Sequence, residues 1–181
     1  AIWPLDERAA RTLVGHGGLI AGLAFAPDSS WLASTSWDFT LRLWPLAGDP
    51  PPPARVLLER GRFPGYPQEL DVSADGRFLA TGTNDVRAVL VSTEGAARQL
   101  PRSGPTGRVP LRDDGRLAAV GSESADEAFV RVWDLATLGE VARLDAGDRK
   151  PPWGALFLAG GGLVSWGEFG IRLWDVAAGS S

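Results

Sequence analysis

One block of sequence recurs four times along this chain, which limits it to architectures made of similar units stacked on their neighbours. The first copy begins Leu23-Ala-Phe-Ala-Pro-Asp-Ser-Ser-Trp-Leu-Ala-Ser, passes Asp38 and ends Leu41-Arg-Leu-Trp44. The second begins Leu70-Asp-Val-Ser-Ala-Asp-Gly-Arg-Phe-Leu-Ala-Thr, passes Asp85 and ends Val89-Leu-Val91. The third opens at Pro110 and ends Val130-Arg-Val-Trp133-Asp134; the fourth opens at Ala155 and ends Ile171-Arg-Leu-Trp174-Asp175. A stub, Ile2-Trp3-Pro4-Leu5, matches Leu43-Trp44-Pro45-Leu46.

The anchor positions 3, 44, 91, 133 and 174 are separated by 41, 47, 42 and 41 residues, the period of one four-stranded propeller blade. The long interval holds Pro50 to Pro53, which cannot donate ladder hydrogen bonds and so predicts a lengthened loop. Within each copy, period-2 alternation or short apolar runs are bounded by Gly, Pro, Asp and Ser. Strands are predicted over 20–26, 32–36 and 40–44, with a weaker one over 55–58. Helical spacing fits no window longer than about ten residues. The predicted fold is all-β, a β-propeller of four-stranded antiparallel blades with approximate units 4–44, 45–91, 92–133 and 134–175.

Gly15-His16, Pro27-Asp28 and Ser36-x-Asp38-x-Thr40-Leu-Arg-Leu-Trp44 together resemble the signature of the WD-repeat β-propeller family. Trp133-Asp134 and Trp174-Asp175 supply the literal dipeptide, while Pro follows Trp3 and Trp44 instead. The resemblance covers nearly the whole chain in four repeats. It implies a buried hydrogen-bond chain in blade one: Asp38 in the tight turn, His16 in the inter-blade loop, Ser36 on the second strand and Trp44 on the third. Partial sets are expected elsewhere. Blade two keeps Thr83 and Asp85 but has Phe63 and Val91 where His and Trp would stand. Blade three has Trp133 with Ser122 and Asp126 (or Glu127) as hydroxyl and acid. Blade four has Trp174 and Glu168, with Trp166 where the hydroxyl is expected.

His16, Ser36 and Asp38 are also the residue types of a hydrolytic triad. Ser36 lacks the G-x-S-x-G elbow, and nothing nearby in sequence suggests an oxyanion hole. Gly160-Gly161-Gly162 is not followed by Lys-Ser/Thr, so it predicts a hairpin turn and no phosphate loop. One His, no Cys, and an acidic cluster (Glu123, Asp126, Glu127) without calcium-loop spacing leave no expected metal or cofactor. Arg55, Arg60 and Arg62 lie close in sequence, but the net charge is −4, so no nucleic-acid footprint is expected. No apolar run approaches the roughly 18 residues of a membrane span. A cytoplasmic location is the expectation.

The tryptophans divide. Trp3, Trp44, Trp133 and Trp174 follow the repeat, whereas Trp31, Trp37, Trp153 and Trp166 do not share that register. In the resembled family the position before the turn acid (Trp37, Asn84) borders the top opening of the central channel. Tyr66, Gln68 and Trp153 fall near the start of innermost strands, at the same rim. These five residues form the expected partner-binding face, since aromatics beside polar groups make protein-binding hot spots.

The function expected is therefore a non-catalytic protein-interaction scaffold or sensor module. Bacterial repeats resembling these often sit C-terminal to a signalling ATPase or kinase. Among the basic residues only Lys150 is lysine against 17 arginines, a bias suggesting a GC-rich bacterial genome. Alternatives are a propeller hydrolase or lyase acting at the channel, and a structural spacer. The segment 10–14 resembles a fourth strand that would complete the last blade. A four-blade ring would strain blades of this type. The copies are thus expected to belong to a seven- or eight-bladed ring, through further blades of a parent chain or as half of a homodimer.

Overall fold

The computed structural model describes residues 11–48, 50–62, 65–84, 87–100, 108–112, 117–121, 129–145, 152–168 and 170–176. Among them every regular element is a strand, as the repeat predicts. The first sheet runs β1 (Ile20–Phe25), β2 (Trp31–Ser36), β3 (Leu41–Pro45) and β4 (Arg55–Leu58), each antiparallel to the next. The second repeats that order with β5 (Pro67–Val72), β6 (Phe78–Thr83), β7 (Ala88–Ser92) and β8 (Ala97–Gln99). The third holds β9 (Leu117–Gly121), β10 (Phe129–Asp134) and β11 (Glu140–Asp145), and the fourth β12 (Pro152–Phe157), β13 (Leu163–Gly167) and β14 (Gly170–Trp174). These are four antiparallel propeller blades.

Turn chemistry fixes the hairpins. Asp28 accepts from the Ser30 N–H and hydroxyl, and Asp75 accepts from the Ser73 hydroxyl and Arg77 N–H, so each closes its β-turn locally. The triple glycine does form a hairpin, with Gly160 and Gly161 at positive φ and Leu158 bonded to Gly162. The expected strand at 10–14 is not seen in its described part. Ala10 lies outside the described residues, Arg11 forms an isolated bridge and 12–14 have no regular structure. Arg11 donates to Leu46 O (2.9 Å) and Gly48 O (3.3 Å), which ties this segment to the first blade.

The core lies between blades. Alternation along β3 points Leu41 and Leu43 to one side and Trp44 to the other, and a blade flanked on both sides buries both sets. Leu41 and Leu43 share a buried cluster with Leu70, Leu79 and Val91 of the second blade. A second cluster joins Ala88 and Leu90 to Val109, Leu111 and Trp133, and a third joins Val130 and Val132 to Ala155 and Leu163. This arrangement explains why the strands read as short apolar runs: where a blade has a neighbour on each side, neither face meets water.

Each of the three described inner strands, β1, β5 and β12, carries a bulge near its start. The register slips between Ile20 and Gly22, between Pro67 and Leu70, and between Pro152 and Gly154. The bulge in β5 frees the Gln68 carbonyl from the ladder, and the Thr35 hydroxyl of the first blade donates to it (2.9 Å). Blades one and two approach closely there. A Cβ on Gly22 would lie 2.6 Å from Leu70 N and 2.8 Å from Gln68 O, both backbone atoms that cannot swing away. Gly22→Ala is accordingly expected to force the two blades apart and cost on the order of 1–3 kcal/mol, read as a lowered thermal midpoint. An unchanged midpoint would show that the blades are not packed this closely.

Candidate functional site

A hydrogen-bonded chain runs from the edge of blade one into its interior. Trp44 Nε1 donates to Ser34 Oγ (2.7 Å), Ser34 Oγ meets His16 Nε2 (2.7 Å), and His16 Nδ1 meets Asp38 Oδ2 (2.9 Å). One tautomer satisfies all four: Nδ1 carries the proton toward Asp38, and Nε2 accepts from the Ser34 hydroxyl. The hydroxyl of this chain is therefore Ser34, not Ser36. Both point to the same face of β2, so alternation cannot separate them. Register does. Trp44 pairs with Leu32, which places Ser34 on the near diagonal and Ser36 a further two residues along, beyond the indole's reach. Ser36 instead accepts the Asp38 N–H (3.1 Å) and shapes the turn.

The same register corrects the other blades. Leu79 pairs with Val91, so Thr81 rather than Thr83 stands in the Ser34 position. With no indole opposite, Thr81 bonds to the carbonyls of Gly82 and Gln68, and Thr83 donates to Arg87 O. In blade four the hydroxyl is Ser165, not the position of Trp166, and it accepts from Trp174 Nε1 (2.8 Å). In blade three the diagonal position opposite Trp133 is Val120, which has no acceptor. Among the described residues Trp133 Nε1 is accordingly buried without a partner. Asp85, Ser122 and Asp126 lie outside the described residues, as do Phe63 and Glu127. Glu168 is exposed in the β13–β14 turn.

Ser34, His16 and Asp38 have the hydrogen-bond order of a Ser-His-Asp relay. Ser34 is only 2% exposed, however, and its oxygen is already engaged by the indole N–H. The arrangement satisfies buried polar groups and fixes the shape of the blade. Among the described residues no group of three or more His, Asp or Glu side chains is placed to hold a metal ion. Among the described residues no helix is long and apolar enough to cross a membrane.

Asp38 links the buried chain to the surface. Its carboxylate accepts from the Gly17 N–H, the Thr40 N–H and the Thr40 hydroxyl as well as from His16. Burial opposes its charge, but the bonds from Thr40, Gly17 and His16 outweigh that and hold the carboxyl well below the ordinary range. These bonds lock the β2–β3 hairpin, in which Phe39 is held at φ 66°, an uncommon backbone state for an aromatic residue. The hairpin presents Trp37, 48% exposed, beside Tyr66 of blade two, 43% exposed. The Trp37 and Tyr66 rings lie 5.6 Å apart, those of Phe39 and Tyr66 4.7 Å, and the Arg60 guanidinium sits 5.9 Å from the Phe39 ring. Asn84 Oδ1 accepts the Tyr66 N–H (2.7 Å), while Gln68 Nε2 donates to Tyr66 O (3.4 Å).

Four of the five expected rim residues thus come together: Trp37, Tyr66, Gln68 and Asn84. Trp153, exposed at the bulge of β12, belongs to another blade, and no described ring contact joins it to this group. Sequence reasoning missed Phe39 and Arg60. The position after the turn acid was a usable signal for Phe39; Arg60 comes in on a loop, where repeat spacing gives no guide.

Two measurements check this geometry. His16→Ala or Ser34→Ala leaves a buried donor or acceptor unpaired and should cost on the order of 1–3 kcal/mol in chemical unfolding, whereas Ser36→Ala should cost less. A Ser36 effect larger than the Ser34 effect would contradict the assignment. The Asp38 carboxyl is lowered in the folded state, so its contribution is full above the ordinary carboxylate pKa of about 4 and is lost as pH falls toward the folded value. The midpoint of Asp38→Asn should therefore fall less steeply than that of the parent chain below about pH 4. Parallel curves would contradict it.

Residues 8–45 match a family model described as WD domain, G-beta repeat. The chain is 27% identical to transcription initiation factor TFIID subunit 5 of Caenorhabditis elegans over 165 residues, 90% of this chain and 24% of that protein. It is 33% identical to human WD repeat-containing protein 36 over 79 residues, 44% of this chain and 8% of that protein. It is 44% identical to nuclear distribution protein nudF of Aspergillus terreus over 46 residues, 25% of this chain and 10% of that protein. The chain therefore spans a quarter or less of the length of these relatives. The matched span contains all four residues of the hydrogen-bonded chain, so the first blade is similar to a WD repeat and the chain as a whole is similar to WD-repeat proteins.

Proposed function

We propose that the chain is a protein-interaction platform whose partner docks on the edge formed by Trp37, Phe39 and Tyr66. The observation that carries this reading is the exposure of Trp37 and Tyr66 on a hairpin locked from beneath by Asp38. Aromatic side chains on a rigid support lose little conformational freedom when a partner covers them, which is why they dominate interface energetics. Asn84 and Gln68 add a polar rim, and Arg60 adds a cation at the border. The relatives agree with this class: one is named as a subunit of a transcription initiation factor, another as a nuclear distribution protein.

The setting we infer is a regulatory segment of a larger bacterial signalling protein, associated with an ATPase or kinase. The arginine-for-lysine bias supports the bacterial part, although the relatives named above are eukaryotic. No second reading has a comparable observation behind it. A hydrolase would need an accessible nucleophile, and Ser34, the serine of the relay, is buried.

The test is a paired pull-down from a bacterial lysate with the parent chain and Trp37→Ala/Tyr66→Ala. Both side chains are half-exposed, so the double variant should keep its thermal midpoint within about 1 kcal/mol of stability. A discrete partner captured by the parent chain and lost in the variant is the expected result. Equal capture by both, or no partner for either, would contradict the reading.

A further inference from the structure

The junction between blades one and two and the junction between blades two and three use the same repeat positions, but they do not close alike. Register matches them residue by residue. Leu43 pairs with Arg55 across β3 and β4, and Leu90 pairs with Arg98 across β7 and β8. Trp31 pairs with Pro45, and Phe78 pairs with Ser92. Arg98, Phe78 and Ser92 are therefore the second-blade counterparts of Arg55, Trp31 and Pro45. Thr93 lies two residues past Val91, and Leu135 two residues past Trp133, which makes Leu135 the counterpart of Thr93. At the first junction the gap is bridged. Arg55 donates to Thr93 O of the neighbouring blade (3.3 Å), and the Trp31 indole reaches the turn at Gly76, where an added Cβ would lie 3.8 Å from Trp31 Cζ2. At the second junction Phe78 is one ring smaller than an indole, and a hydroxyl stands in place of the proline ring. No hydrogen bond or ion pair joins Arg98 to any described residue. A groove of about 290 Å³ remains there, close to the small end of the roughly 300–1,000 Å³ typical of ligand sites.

The lining divides chemically. Phe78, Leu90, Leu135 and Ala136 supply apolar walls, while Ser92 and Arg98 are polar. Ser92 Oγ accepts the Ala96 N–H (3.0 Å), which leaves its own proton to donate. The carboxylate of Asp134, next to Leu135 in the chain, is taken up by the N–H groups of Ala136 and Thr137 and the Thr137 hydroxyl. No acidic side chain is among the described residues that line the groove. Both polar side chains thus offer donors, and one of them is a cation. A planar guanidinium grips a carboxylate through two parallel hydrogen bonds, and one negative charge balances it. A phosphate dianion would bring more charge than a single arginine offsets. We propose that this groove binds a carboxylate borne on a small apolar group, its oxygens held by Arg98 and Ser92 and its apolar part lying against Phe78, Leu90 and Leu135. Two sources offer that chemistry: a free carboxylic acid, and the C-terminus of a polypeptide that ends in an apolar residue. The site lies between blades two and three and does not depend on the partner edge at Trp37.

Two-dimensional amide NMR of the parent chain, titrated with four probes, tests the site. The probes are hexanoate, hexanamide, and a short peptide ending in leucine, as free acid and as C-terminal amide. At least one of the two carboxylates should produce saturable shifts at the amides of Ser92, Ala96, Leu135 and Ala136, and its uncharged amide should not. Tighter binding of hexanoate identifies a free acid as the source; tighter binding of the peptide identifies a polypeptide terminus. Arg98→Ala should weaken the effective probe about 10-fold or more. Arg55→Ala, the matching substitution at the bridged junction, should leave its binding unchanged. Arg98 is exposed, so circular dichroism should show the variant folded. The inference would be overturned by an absence of saturable shifts with both carboxylates or by equal binding of acid and amide. Binding that survives Arg98→Ala, or that falls equally in the two arginine variants, would also overturn it.

Discussion

The structure depends on apolar packing between one blade and the next. A single four-stranded sheet of this size cannot bury both of its faces, and here both faces are apolar: Leu41 and Leu43 on one side, Leu32 and Trp44 on the other. Burying a side chain of this size contributes roughly 1.5–3 kcal/mol, and each inter-blade cluster gathers four or more of them. The close approach at Gly22 and the Thr35 bond to the Gln68 carbonyl follow from that packing: once hydrophobic faces draw the sheets together, the backbone between them must be bare or satisfied.

Polar order within the blades is uneven. Blade one satisfies every member of its Trp44–Ser34–His16–Asp38 chain, and the same Asp38 that ends the chain braces the hairpin carrying Trp37 and Phe39. Buried order is thereby converted into a fixed surface. Blade four retains the Trp174–Ser165 pair. Blade three keeps the indole, but the register puts a valine at the diagonal position, and among the described residues Trp133 Nε1 has no acceptor. Blade two has dropped the indole, and Thr81 and Thr83 turn to backbone carbonyls instead. The complete chain thus lies under the aromatic edge proposed to meet a partner.

The architecture was legible because period and punctuation are global signals. Anchors some forty residues apart, with a strand-type pattern in each interval, leave few folds that could satisfy both. The β4 strand matches its expected bounds, while β2 extends back to Trp31 and β3 runs on through Pro45. What the pattern could not supply was cross-strand register. Ser34 and Ser36 share a face, as do Thr81 and Thr83, and only the pairing of Leu32 with Trp44 and Leu79 with Val91 distinguishes them. Ser165 was missed for the same reason: the spacing from Trp44 back to Ser36, applied to Trp174, lands on Trp166, whereas the register puts the hydroxyl two residues past Leu163, the partner of Trp174. Of the rim residues, those placed by repeat position came together, and the loop-borne Arg60 did not show itself in advance.

The central claim is that stability resides in contacts across blades, and a pair of double-mutant cycles tests it most directly. Leu43 of blade one and Leu79 of blade two belong to one buried cluster, whereas Leu163 of blade four belongs to another. Unfolding free energies of Leu43→Ala, Leu79→Ala, Leu163→Ala and the two doubles containing Leu43→Ala give the couplings. The account predicts a coupling of about 0.5–3 kcal/mol for Leu43 with Leu79 and additivity within about 0.5 kcal/mol for Leu43 with Leu163. Additivity in both cycles would contradict it, because blades that do not share a core would not register each other's cavities.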